Sequence, residues 1–144
     1  MSTKYQEQVF HLYGAFTYKQ ASTIATKLEC NLASYGQLLE SFRHGSNWCH
    51  YGWSKDQLGL YVTQSHQLYK ISGTKDQGTC GDLGLNGGFF SNPNFKFGGN
   101  CFGLRPDVLF GSMEIVKEII KEVIKNDLIE SGALSKYIET IMEE

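Results

Sequence analysis

Hydrophobic residues at helical spacing alternate with shorter stretches of period two along this chain. Ala21, Ile24, Ala25 and Leu28 share one stripe, which predicts a helix over residues 18–28 with Thr17 as its N-cap. Leu38, Leu39 and Phe42 predict a second helix over residues 35–44, stopped by Gly45 in the left-handed conformation. Weak alternation over residues 5–12 reads as an edge strand closed by a turn at Gly14. Short strands are expected over residues 32–34 and 49–53, and clearer alternation over 58–62 and 67–71. Residues 78–103 are rich in Gly and Asn and read as a long ordered loop with one or two short strands. Asn86-Gly87-Gly88 and Gly98-Gly99-Asn100 supply its turns.

The pattern changes after Pro106. Ser112 can cap a helix in which Ile115, Val116, Ile119, Ile120, Val123 and Ile124 recur at helical spacing, with Glu and Lys on the other side. Gly132 breaks this run, and Leu134, Tyr137, Ile138, Ile141 and Met142 form a second, shorter pattern. The chain therefore divides into an α+β domain over residues 5–105 and an amphipathic helical extension over 106–144. An isolated helix of this length is marginal in water, so its stripe must pack on the chain's own domain or on a partner.

Composition narrows the function. The 144 residues carry a net charge of −2 with no long run of either sign, which gives no nucleic-acid surface and no electrostatic membrane attachment. No stretch of about 18 apolar residues is present to span a bilayer. The opening MSTKYQEQVFHLYG has no apolar segment of signal-peptide length, so the expected location is intracellular or within a virion. Four cysteines at 30, 49, 80 and 101 include no CxxC, which argues against zinc and leaves three disulfide connectivities open. The histidines at 11, 44, 50 and 66 are scattered, and Cys49 and His50, adjacent on a strand, face opposite ways. No nucleophile elbow, phosphate loop or dinucleotide fingerprint occurs, so no enzyme, cofactor or metal is expected. Asn92-Pro93-Asn94 lacks the carboxylate a calcium site would need. Trp48 and Trp53, flanking Cys49, read as core.

The motifs LASYGQL and WCHYGW, with Val9-Phe10-His11, Phe16-Thr17-Tyr18, Cys80-Gly81 and Asn100-Cys101-Phe102, resemble in order and spacing the Link module, the hyaluronan-binding relative of the C-type lectin fold. The resemblance runs over residues 9–102. It implies a Link/C-type-lectin-like α+β domain of two helices, small antiparallel sheets and long loops, here with a C-terminal helical arm. It also implies a disulfide between the second and third cysteines, Cys49 and Cys80. The outer pair, Cys30 and Cys101, departs from the pattern, because the family's first cysteine would fall at Ala25. For hyaluronan, the resemblance implies tyrosines and basic residues, and this chain matches only at Tyr61. Tyr13 and Gly14, Asp82 and residues 87–90 replace the remaining basic and aromatic positions.

Two functions are therefore expected. The first is a non-enzymatic structural or interaction protein that docks into a larger assembly of protein subunits. Its docking residues are Ile115, Ile119, Ile120, Val123, Ile124, Leu134, Ile138 and Ile141, and a minor capsid component of a large DNA virus is one setting. The alternative is a module for hyaluronan or another glycan that uses Tyr61, Phe89 and Phe90, with Phe95, Lys55 and Lys70 nearby in sequence.

Overall fold

The computed structural model describes residues 6–64, 68–70, 77–130 and 132. In chain order the elements are β1 (Gln8–Phe16), α1 (Tyr18–Lys27), β2 (Asn31–Leu32), α2 (Tyr35–Arg43), β3 (Trp48–Ser54), a 3-10 turn (Lys55–Gln57), β4 (Leu58–Thr63), β5 (Leu68–Lys70), β6 (Gln77–Thr79), β7 (Gly84–Phe89), β8 (Phe97–Gly103), α3 (Pro106–Leu109) and α4 (Met113–Glu130). The main sheet runs β1-β8-β3-β4-β7, with β2 paired to the end of β8, and β5 and β6 form a separate hairpin. Strand β8 is antiparallel to β1 and β2 and parallel to β3.

Both early helices start as their sequences predict. Thr17 and Ser34 each close a capping box, with Gln20 and Gln37 returning the bond to the cap backbone. Gly45 adopts φ +99° directly after the second helix.

The sheet buries both faces. On one, Leu12, Phe16, Trp53 and Cys101 meet Ala21, Ile24, Ala25 and Leu28 of the α1 region and Val116 and Val123 of α4. On the other, Leu60 and Val62 meet Ala33 and Leu38, with Val9, Phe42, Trp48 and Phe102 packed around them. Helices α1 and α4 thus cover one side of the sheet, and α2 covers the other.

Several expectations need correction. The first strand does not stop at Gly14 but runs on to Phe16, through a register irregularity after Leu12. A side chain at Gly14 would run into the Phe16 ring, so its absence lets the strand bring that ring into the core. Gly98-Gly99-Asn100 is not a turn but the middle of β8, an interior strand of the sheet. Glycine is needed there for close approach, not for a turn: a Cβ on Gly98 would collide with the Leu12 carbonyl and the His50 ring. Strand β6 and helix α3 had no clear pattern in the sequence.

The stripe of α4 is turned inward. Val116 and Val123 are buried, and Ile119, Ile120 and Ile124 pack beside them against the same core. Lys19 of α1 reaches Asp127 and Glu130, and the Gln20 side chain donates to Asp127 Oδ2 at 2.7 Å, which fastens the two helices polar-edge to polar-edge. Ile115 remains exposed, whereas Leu134, Ile138 and Ile141, with Tyr137 and Met142, lie outside the described residues.

Candidate functional site

Strand parity gathers an aromatic group on one face of the sheet. Tyr61 lies opposite Asn86, and Gly59 opposite Gly88, so the side of β4 that carries Tyr61 also faces Phe90. The bare Cα of Gly59 makes room for the rings of Phe90 and Phe97. Tyr51 stands edge-on to Tyr61 at 4.8 Å and stacks on Phe97 at 5.2 Å, and Phe90 meets Tyr51, Phe95 and Phe97 edge-on. Trp53 braces the group from the core at 4.8 Å from Phe97. Its indole N–H donates to the carbonyls of Phe16 at 2.9 Å and Phe95 at 3.2 Å. Gln57 Nε2 fixes the Phe90 carbonyl at 2.6 Å. Tyr51 at 37% exposure and Phe95 at 49% present this face to solvent.

The structure thus brings Tyr61 and Phe90 together but not Phe89. Phe89 pairs with Leu58, points to the opposite side of the sheet and is 67% exposed. Sequence reasoning missed Tyr51, although the parity it shares with Trp53 on β3 was a usable signal.

The turn before β7 is pinned beside this face. Asp82 and Asn86 exchange hydrogen bonds at 2.9 and 2.8 Å, and Thr63 Oγ1 donates to the Asp82 carbonyl at 2.7 Å. The disulfide Cys49–Cys80, with Cα atoms 5.5 Å apart, ties β3 to this turn. Cys30 and Cys101 are free, buried thiols. They are brought into contact but not bridged: a hydrogen bond from Cys101 holds the Cys30 thiol below its ordinary range. That bond and burial push Cys101 up.

A polar chain crosses the other face. Asn100 of β8 is fully buried; a side chain on Gly52 of β3 would occupy its place. Across that gap its Nδ2 donates to the carbonyls of Gly52 at 3.2 Å and Leu60 at 2.9 Å and to Ser54 Oγ at 3.1 Å. This orientation leaves Oδ1 to accept from His11 Nδ1 at 2.7 Å. His11 Nε2 is then an acceptor, and His50 Nδ1 lies 2.8 Å away as its donor. His50 reaches His11 by passing over Gly98. Trp48 stacks on His11 at 5.2 Å, and Tyr13 covers both imidazoles at 4.6 and 5.1 Å. Burial, together with the neighbouring His50, lowers the His11 pKa to about 4, against the bond to Asn100. Burial lowers that of His50 as well.

Among the described residues, no cluster of three or more His, Cys, Asp or Glu side chains could hold a metal ion, and no helix is long and apolar enough to cross a membrane. The family model described as the extracellular link domain matches residues 8–102. No curated protein matches the chain.

Proposed function

This chain belongs to the extracellular link domain family, and from that premise we propose that it is a glycan-recognition module that reads its ligand with the aromatic face around Tyr51, Tyr61 and Phe95. Link domains are in general binding modules rather than enzymes. The observation that carries the reading is the exposure of Tyr51 and Phe95 on rings braced from behind by Phe90, Phe97 and Trp53. Rings already held in place lose little freedom when a sugar face stacks on them, so more of the contact energy appears as affinity. Asp82 stands where the family's hyaluronan sites carry an aromatic residue, which favours an uncharged glycan over a polyanion. The Cys49–Cys80 disulfide and the family's extracellular setting fit an oxidising compartment.

Titration of the chain with neutral oligosaccharides and with hyaluronan oligosaccharides, followed by amide NMR, tests this. Neutral sugars should shift residues on β3, β4 and the 90–97 segment. Tyr51→Ala should weaken binding at least tenfold, and Phe89→Ala should leave it unchanged. Unchanged affinity in Tyr51→Ala would sink the reading.

A second reading, subunit docking in a larger assembly such as a virion, draws on Met113, Ile115, Leu128 and Ile129, which stay exposed on α4 after its inner stripe is packed. Light scattering tests it: a monomer at every accessible concentration, with no partner-dependent change, counts against it.

A further inference from the structure

The sheet's second face carries a feature that glycan stacking on the first does not use. His11 on β1, Asn100 on β8 and His50 on β3 form one hydrogen-bonded chain across three neighbouring strands. We propose that the pair His11–His50, anchored on Asn100, is an acid-operated latch between β1 and β3 that stays closed while the pair is neutral or singly protonated and opens when a second proton arrives, unstacking Trp48 and the exposed Tyr13 ring from the imidazoles.

The argument is one of donors and acceptors. Asn100 is oriented by three bonds from its amide nitrogen, so its oxygen demands a proton on His11 Nδ1. A neutral His11 then accepts at Nε2 from His50 Nδ1–H. A first proton added to His50 goes on its Nε2, outside the chain, and leaves every bond in place. A second can go only on His11 Nε2, where it would face the His50 Nδ1–H across 2.8 Å: two donors and two positive charges with no acceptor between them. The pair must then separate.

Among the described residues, the groups in hydrogen-bond, ring or close contact with the pair are Tyr13 from β1, Trp48 from β3 and Asn100 and Gly98 from β8, none of them a carboxylate. Burial and the neighbouring His50 both disfavour a charge on His11. Trp48 is placed to report the opening: its ring stacks on His11 on one side and packs beside Leu60 and Val62 on the other, and among the described residues no hydrogen bond ties its buried indole N–H.

The test is a titration of the intact chain from pH 7 to 3.5, reading imidazole nitrogen shifts and tryptophan fluorescence. Two separated steps are expected, His50 first and His11 second, with the fluorescence change confined to the second. Trp48→Phe should abolish that change, since Trp53 is buried on the opposite face. His50→Asn, which keeps a donor and removes the second charge, should move the His11 step up by at least half a pH unit. Circular dichroism at pH 7 confirms that both variants fold. Two histidines titrating independently near the ordinary value would overturn the latch. So would a fluorescence change that survives in Trp48→Phe, or an unmoved His11 step in His50→Asn.

Discussion

At the scale of single residues, this fold rests on side chains that cross a strand where glycine leaves a gap. Asn100 crosses β3 at Gly52, and His50 crosses β8 at Gly98. Asn100→Ala would leave the Gly52 and Leu60 carbonyls and His11 without their buried partner. Each unsatisfied group costs ~1–3 kcal/mol, so urea unfolding should show a loss of about 2–4 kcal/mol after partial relaxation. Gly52→Ala should cost a comparable amount by expelling the same side chain, and should also shift the His11 imidazole signals. His11 adds a pH dependence. Its pKa lies near 4 in the fold against 6.5 ordinarily, so between these values the unfolded chain binds more protons. The stability it supports is complete above pH 6.5 and is lost as pH falls toward 4, an amount on the order of 3 kcal/mol. A flat melting temperature between pH 7 and 4 would contradict this.

At the scale of elements, caps and a covalent tie do most of the local work. Thr17→Ala removes one half of a capping box and should cost α1 about 1 kcal/mol, measured by denaturant midpoint. The Cys49–Cys80 bridge closes a 31-residue separation, worth ~3–4 kcal/mol on the chain-entropy model. Reduction should therefore lower the melting temperature and broaden NMR signals in the turn that holds Asp82 and Asn86. The Thr17 cap was legible because it is local; Ser34, read as the end of a strand, carries the same signal, a Ser with a Gln three residues on. Strand β8 was not legible. Its glycines look like turn residues in one dimension, and only the neighbours β1 and β3 show that their smallness serves close packing.

At the scale of the molecule, α4 is the element whose packing only the fold shows. Of the two settings open for its stripe, its own domain or a partner, Ile119, Ile120, Val123 and Ile124 take the first, packing with Val116 on the core shared with α1. Each large aliphatic side chain buried contributes ~1.5–3 kcal/mol. A chain ending at Arg105 should consequently melt far lower and expose Leu28 and Ile24 to a hydrophobic dye, whatever its oligomeric state. Unchanged melting on truncation would show that α4 is dispensable to the core. The aromatic face is equally a product of the whole. Tyr51 and Tyr61 lie ten residues apart on separate strands, and pairing of β3 with β4 sets them edge to edge.

The amphipathic periods, the two capping boxes, the α+β order and the motif spacing that marks a Link domain were set by the sequence, because each depends on residues within a few positions of one another. Three things were decided only in three dimensions. Parity across β4 and β7 put Phe89 and Phe90 on opposite faces and so divided the expected aromatic site. Packing against α1 turned the apolar stripe of α4 inward. Glycine gaps in two neighbouring strands let Asn100, His11 and His50 find one another across 89 and 39 residues of chain. Contacts at such separations depend on which distant strands pair and in what register, and residues far apart in the chain settle that together.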